Sequence, residues 1–379
     1  MGIENDVWCK TVQDLLSKAD VKINGSRPWD ICVKNPGFFK RVLSEGSLGL
    51  GESYMDGWWE CERLDEFFYR VLKHRVQDHV PERWSDVFRL LVAKLFNLQS
   101  VSRAFKASDV HYNLGNDLFS RMLDSNMIYS CGYWEDATTL EEAQVNKLRM
   151  ICEKLRLEPG MRLLDIGCGW GGLAEYAARN YGVSVVAINI ASEQVRLARE
   201  RCEGLDVEVL LKDYRDLDPN DRFDRIVAVE MFEHVGPKNY DHFFSIVDRH
   251  LAPDGLLLLQ VIGSNGAPTK ADAWTVKYIF PNAYLPSMQE ITAASEAFFV
   301  MEDWHNFGAD YDPTLMAWHE RLLAAWPELA HAYEERCKRM FVYYLMSCAG
   351  SLRARNIQLW QVLFSRGRDG GLRRSLSVS

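Results

Sequence analysis

The chain of 379 residues has no surplus of positive charge: its formal balance is −9. Nothing global would attract a phosphate polyanion, which argues against nucleic-acid binding, and any contact with an anionic membrane must come from a local basic surface. The sequence also has no Cys-x-x-Cys pair and no His/Cys grouping at zinc spacing. Its nine cysteines, at 9, 32, 61, 131, 152, 168, 202, 337 and 348, form an odd, scattered set. That pattern suggests free thiols in a reducing compartment and no bound metal. No apolar run approaches the roughly 18 residues needed to span a bilayer. The opening Met1-Gly2-Ile3-Glu4-Asn5-Asp6 carries acids early and no apolar stretch, so it does not read as a secretory signal. Gly2 is weak evidence for myristoylation, because position 6 is Asp. The expectation is a cytoplasmic protein that at most sits on a membrane.

Apolar side chains are abundant, at 47%, and twelve Trp, fifteen Tyr and eighteen Phe serve either a large core or an apolar substrate channel. The length allows roughly two or three domains. In the first hundred residues, short apolar segments are punctuated by Asn24-Gly25, Asn35-Pro36-Gly37 and the stretch Gly46 to Gly51, which reads as a small mixed α/β unit separable from the rest of the chain. From Val80 to Lys106 the spacing becomes helical, with Trp84, Val87, Phe88, Leu91, Leu95 and Phe96 near one face and Arg89, Lys94, Arg103 and Lys106 around it. Such a helix either lies in a membrane interface or packs between domains. The tail from Ser365 to Ser379, rich in Arg, Gly and Ser, is expected to fray.

The middle of the chain has the clearest order. Arg162 to Ile166 reads as a strand running into a glycine-rich turn, Leu173 to Tyr181 as a helix, Val183 to Ile190 as a strand and Glu193 to Cys202 as a helix. Beyond them come strands at Val207 to Leu211 and Phe223 to Val229, a helix from Tyr240 to Leu251 and an apolar strand from Leu256 to Ile262. This alternation implies an α/β fold with a mostly parallel, doubly wound, Rossmann-like sheet whose ligands bind at the strand carboxyl ends.

The turn Leu163-Leu164-Asp165-Ile166-Gly167-Cys168-Gly169-Trp170-Gly171-Gly172 satisfies Gly-x-Gly-x-x-Gly, so a dinucleotide is one reading. Asp165 argues against it: a carboxylate two positions before the first glycine would repel a pyrophosphate but suits the cationic methionine end of S-adenosylmethionine. The second strand ends in Asn189 and not in the acid that grips an NAD ribose. Asp165, Gly167, Gly169 and Asn189 are therefore candidate S-adenosylmethionine residues. Gln194 is placed to reach the ribose hydroxyls, and Asp213 and Tyr214 the adenine edge and face.

Several longer stretches carry a resemblance: Gly49-Leu50-Gly51-Glu52-Ser53-Tyr54-Met55-Asp56-Gly57-Trp58-Trp59, His111-Tyr112-Asn113-Leu114-Gly115-Asn116-Asp117, Tyr129-Ser130-Cys131, Met231-Phe232-Glu233-His234-Val235-Gly236-Pro237-Lys238-Asn239-Tyr240 and Trp304-His305-Asn306-Phe307-Gly308-Ala309-Asp310-Tyr311. In this order they resemble the bacterial cyclopropane-fatty-acyl-phospholipid synthases over nearly the whole chain. The resemblance implies methyl transfer from S-adenosylmethionine to a cis double bond of a phospholipid acyl chain, then proton loss and ring closure. It adds Tyr129 and Ser130 to the cofactor residues. It also implies a bicarbonate ion as base, held by Cys131, Glu233, Tyr311 and the backbone near Ile262. Members of the family carry His where this chain has Gln260, and a Gln amide donates a hydrogen bond but takes no proton. An alkene needs no activated nucleophile, only alignment, a base and faces that tolerate a carbocation, for which Tyr240, Tyr278 and Tyr311 are candidates.

The implied organisation is a lipid-binding, membrane-docking region over 1–95, a linker over 96–110 and a catalytic region over 111–379. A homodimer peripheral to the inner face of the cytoplasmic membrane, with the phospholipid bilayer as partner, is implied as well. Two other readings stay open: a lipid methyltransferase that does not close a ring, and a lipid-binding protein without catalysis.

Overall fold

The computed structural model describes residues 2–76, 115–265, 269–270 and 272–366. The basic amphipathic stretch Val80 to Lys106, the linker, the His111 to Leu114 half of one motif and nearly all of the tail lie outside the described residues.

The N-terminal part is helical: α1 (Gly2–Ser17), α2 (Gly37–Glu45), α3 (Ser47–Met55) and α4 (Leu64–Lys73), with the two-residue strands β1 (Cys32–Val33) and β2 (Trp59–Glu60) paired antiparallel. α5 (Asn116–Met122) and α6 (Leu140–Lys154) lead into the sheet. Thr139 and Glu142 form a reciprocal capping box at the start of α6, satisfying two backbone donors that would otherwise have no partner.

The sheet is built from β3 (Arg162–Ile166), β4 (Ser184–Asn189), β5 (Val207–Leu211), β6 (Phe223–Val229) and β7 (Leu251–Ser264), all parallel. α7 (Gly172–Tyr181), α8 (Ser192–Arg201) and α9 (Tyr240–His250) connect them. The chain then passes through the β8 (Thr269–Lys270) and β9 (Tyr284–Leu285) pair, α10 (Ala273–Tyr278) and α11 (Met288–Ser295). It finishes with β10 (Val300–Asn306), α12 (Tyr311–Leu329), α13 (Glu335–Arg353) and β11 (Ile357–Ser365). β11 and β10 extend the sheet antiparallel beyond β7, giving the order β10-β11-β7-β6-β3-β4-β5. The chain runs outward from β3 through β4 to β5 and then crosses to β6 on the other flank of β3, so the switch point lies between β3 and β6. Ligand crevices form at the carboxyl ends of strands at such a point.

Residues 2–76 share one core with α12 and α13. Phe38, Trp59, Phe67 and Phe68 pack with Trp274, Trp318, Phe341 and Tyr343 in a single cluster. The Tyr343 ring lies 5.1 Å from Phe68 edge-on and 4.5 Å from Trp274. Ion pairs run along the same seam: Arg353 bridges buried Asp65 at 2.9 Å and Asp312 at 2.8 Å, and Arg339 reaches Glu60 at 2.9 Å. Glu52, from the first of the resemblance motifs, accepts hydrogen bonds from Lys277 at 2.5 Å, Tyr278 at 2.8 Å and Arg41 at 2.5 Å. Burial pushes its carboxyl up, but these three donors outweigh burial and hold it at about 2. That acid of the motif thus anchors α3 to α10.

Candidate active site

The loop after β3 turns where its glycines permit. Gly167, Gly169 and Gly171 have φ of 86°, 54° and 83°, the left-handed region that side chains resist. A Cβ on Gly167 would also meet Met231 at 2.8 Å. Beside this loop lies a cavity of about 210 Å³, and Tyr129, Ser130, Asp165, Gly167, Gly169, Asn189, Gln194, Asp213 and Tyr214 all line it. All nine residues named from the sequence as cofactor contacts are therefore on one wall.

The residues present fit S-adenosylmethionine. Asp165 is buried, its Oδ2 unpartnered among the described residues, and burial pushes its carboxyl to about 7 against the pull of Lys147. A carboxylate so placed gains from a cationic ligand. Asn189 Nδ2 donates to Gln194 Oε1 at 2.8 Å, fixing the end of β4 against the start of α8. Asp213 departs from expectation in part: Arg215 binds both its oxygens, at 2.7 and 2.6 Å, so its carboxylate is already paired where an adenine edge would approach. The sequence reading overlooked Lys147, whose Nζ donates to Ser130 Oγ at 2.8 Å inside the cavity wall and whose ammonium is brought down to about 8 by burial.

A second, larger cavity of about 1210 Å³ adjoins it, lined mainly by apolar side chains of α1, α2, α4, α12 and α13. Tyr129, Glu230, His234 and Phe280 line both cavities and form their junction. Of the three tyrosines expected to face a carbocation, only Tyr311 is on this wall. Tyr240 stacks on Phe232 at 4.3 Å within the core and Tyr278 is turned to Glu52. Tyr129, Tyr344 and Phe280 are further aromatic side chains lining this cavity, with the Tyr129 and Tyr344 hydroxyls 3.1 Å apart.

Of the five residues expected to hold bicarbonate, Cys131, Gln260 and Tyr311 meet on Glu230, and Ile262 meets Glu233. The backbone N–H of Cys131 donates to Glu230 Oε1 at 3.0 Å, Gln260 Nε2 donates to the same oxygen at 2.8 Å and the Tyr311 hydroxyl donates to Glu230 Oε2 at 2.6 Å. Ile262 N–H donates to Glu233 Oε1 at 2.5 Å. The donors meant for an exchangeable anion are thus taken by two carboxylates of the chain itself. The Cys131, Gln260 and Tyr311 donors are therefore already engaged by Glu230, where the expected arrangement has them holding bicarbonate. The Cys131 thiol takes no part: it is buried, donates to Gly132 O at 3.1 Å and is pushed well above its ordinary value by burial. Gln260 is oriented by Gln361, whose amide donates to its Oε1 at 2.9 Å. Glu230 was overlooked in the sequence, although an acid directly after a parallel strand, at its carboxyl end, is a signal for a functional position.

Glu233 is buried, its Oε2 unpartnered among the described residues, and burial together with the neighbouring charge of Glu230 pushes its carboxyl to about 8. In the unfolded chain the same group titrates near about 4.3. Its contribution to stability is therefore full below about pH 4.3 and is lost as pH rises toward 8. Glu233→Gln keeps the shape and removes this titration. The variant is expected to gain up to about 5 kcal/mol over the unsubstituted chain between pH 4.5 and pH 8.5, at about 1.4 kcal/mol for each pH unit separating the folded and unfolded values. Thermal unfolding of both proteins at the two pH values checks this; a difference independent of pH would contradict it.

Known proteins carry the same pattern. The family model described as mycolic acid cyclopropane synthetase matches residues 99–362. The chain belongs to that family. The cyclopropane-fatty-acyl-phospholipid synthase of Escherichia coli K12 is 64% identical over 373 residues, 98% of this chain and 97% of that protein. The structure of the cyclopropane synthase MmaA2 from Mycobacterium tuberculosis superposes with a TM-score of 0.65 at 30% identity, over 69% of this chain and 98% of its own. The mycolic acid cyclopropane synthase CmaA1, solved in complex with SAH and CTAB, superposes at 0.64 with 30% identity and the same coverage. Among cyclopropane synthetases the present chain is thus represented over nearly its full length, and its sheet and cofactor loop are those of a Rossmann-like methyltransferase.

Proposed function

We propose that this chain transfers a methylene unit from S-adenosylmethionine to the cis double bond of an unsaturated phospholipid acyl chain, forming a cyclopropane ring. The observation that carries the reading is the junction of the two cavities. A cofactor cavity headed by Asp165 and the glycine loop shares Tyr129, Glu230, His234 and Phe280 with a larger, mainly apolar cavity suited to an acyl chain. The relative from E. coli bears the name of this activity.

The chemistry asks little of the protein before attack. The alkene π pair attacks the sulfonium methyl and the S–CH₃ bond breaks toward sulfur. The other alkene carbon is left cationic, and loss of a proton from the new methyl closes the ring. What the chain supplies is alignment, exclusion of water and aromatic faces beside the cation. Tyr129, Phe280, Tyr311 and Tyr344 provide those faces.

The apolar cavity has an exposed basic edge, where Lys73, Arg75 and Arg355 join its lining. Such an edge suits an anionic headgroup and gives the N-terminal region, 1–95 in the proposed organisation, a docking role at a bilayer surface despite the net negative charge. Among the described residues, no helix is long and apolar enough to cross a membrane. Attachment to the inner face and a homodimeric state rest on the family resemblance alone.

Incubation with methyl-labelled S-adenosylmethionine and vesicles of unsaturated phospholipid, with mass spectrometry of the acyl chains afterwards, tests the reading. The expected product is heavier by one methylene unit and has lost its double bond. A methyl-branched chain would point to methyl transfer without ring closure, and no labelled lipid at all would sink both.

A further inference from the structure

Among the described residues, Glu230 is the one acid that lines both cavities while holding the donor set of the anion site. It comes directly after β6, on the flank of the switch point opposite the glycine loop, and its backbone stands at φ 49°, a conformation a non-glycine residue adopts rarely. Such backbone persists only where the surroundings enforce it, and outliers of this kind gather at active sites. Cys131 N–H, Gln260 Nε2 and the Tyr311 hydroxyl enforce it here, each within 3.0 Å of a carboxylate oxygen.

We propose that Glu230 is the base of the reaction, a carboxylate built into the chain where a dissociable anion would otherwise be needed. This rests on the cyclopropanation reading above. After methyl transfer, the Glu230 carboxylate accepts a proton from the added methyl group. The C–H electron pair forms the second carbon–carbon bond to the cationic carbon, and the carboxylic acid returns its proton to solvent after product leaves. No oxidant or further reactant is required.

The surrounding charges suit the task. Burial raises the Glu230 carboxyl above the ordinary carboxylate range, and its three donors pull against that rise. Its neighbour Glu233, at about 8, keeps its proton at neutral pH, so the pair carries no more than one negative charge. That charge faces the place where a sulfonium gives way to a carbocation, and a fixed anion there stabilises both. A methyl group next to a carbocation is so acidic that a hydrogen-bonded carboxylate is basic enough. Gln260 also finds its reason: an amide donates to Glu230 while its oxygen is fixed by Gln361, whereas an imidazolium in that position would lower the basicity of the carboxylate.

The test uses the full-length protein with labelled S-adenosylmethionine and unsaturated phospholipid vesicles. Unsubstituted protein is expected to turn over at the same rate in bicarbonate-free buffer as with bicarbonate added. Glu230→Gln is expected to lower turnover at saturating S-adenosylmethionine by at least about 10²-fold, the usual contribution of a positioned base. Glu230→Gly, which relaxes the backbone and frees the three donors, is expected to regain turnover on addition of bicarbonate in a saturable way. A purely structural Glu230 would not produce that rescue. Unsubstituted protein slowed by bicarbonate removal, Glu230→Gln turning over normally, or a Glu230→Gly variant that binds cofactor but gains nothing from bicarbonate would each overturn the assignment. Failure of the unsubstituted protein to form any cyclopropane lipid would overturn the functional reading itself, and the assignment with it.

Discussion

Gly350→Ala is expected to destabilise the protein by about 3 kcal/mol, even though alanine is the better helix former by about 1 kcal/mol. Gly350 lies inside α13 where that helix crosses α4. A Cβ there would stand 2.5 Å from Phe68 Cβ, 2.7 Å from the backbone nitrogen of Tyr69 and 2.8 Å from the carbonyl oxygen of Asp65. Two of these atoms are main chain, so no rotamer change relieves the contact and the helices must separate. Separation strains the Arg353–Asp65 pair at the same crossing. Burial pushes the Asp65 carboxyl up, yet Arg63 and Arg353 hold it at about 2. It also opens the wall to which α4 contributes Phe67 and Phe68 and α13 contributes Tyr343 and Tyr344. Total stability of a domain is about 5–15 kcal/mol, so the loss is large. Denaturant unfolding checks it: the midpoint should fall with the slope unchanged. A midpoint that rises would show helix propensity prevailing over the crossing contact.

The sheet was legible because its strands are β-branched or leucine-rich runs separated by helices of ordinary length. β3, β5 and β6 have the bounds that periodicity alone indicates. β7 extends further at both ends than Leu256 to Ile262, because Pro253, Asp254 and Gly255 interrupt the apolar pattern but not the backbone ladder. β10 and β11 were not read as strands at all. Trp304 to Asn306 carry no alternation, and the pairing of β11 with β7 joins residues about a hundred positions apart. The cofactor wall was legible for a related reason: its residues sit at fixed offsets from strand ends, where topology dictates placement.

Partnership was not legible. Cys131, Gln260 and Tyr311 could be named as one site, but nothing local says that their donors meet on Glu230, because they come from a loop, a strand and a helix start far apart in sequence. Glu230 itself reads as one more acid in a turn. Likewise Tyr240 and Tyr278 look equivalent to Tyr311 until side-chain direction is known, and burial against Phe232 and a hydrogen bond to Glu52 take them out of the site. The N-terminal segment resembles a separate unit in sequence because the apolar faces of α1 to α4 give no hint of which surface they cover. Their partners on α12 and α13 lie more than two hundred residues away.

Asp165→Asn is expected to weaken S-adenosylmethionine binding by about 10²-fold while making the ligand-free protein more stable. The two effects have one origin. Asp165 is buried, Lys147 alone among the described residues opposes the desolvation of its carboxylate, and its Oδ2 has no partner among them. The folded carboxyl near 7 lies above the unfolded value of about 3.9. Its stabilising contribution is therefore full below about pH 3.9 and gone once pH has risen through 7, so at pH 8 the ligand-free protein bears the whole cost of a buried charge. An amide of the same shape carries no such charge, and the variant should melt higher at pH 8 but not at pH 4. Binding reverses the comparison, because a cationic amine group brought against Oδ2 forms a charge-assisted hydrogen bond that asparagine cannot match, a difference of about 2–3 kcal/mol. Calorimetric titration with S-adenosylmethionine at pH 8, beside thermal unfolding of both ligand-free proteins at pH 4 and 8, separates the two. Equal affinity in the variant would remove Asp165 from the cofactor site. A loss of affinity accompanied by a lower melting temperature at pH 8 would mean that the carboxylate holds the loop together rather than the ligand.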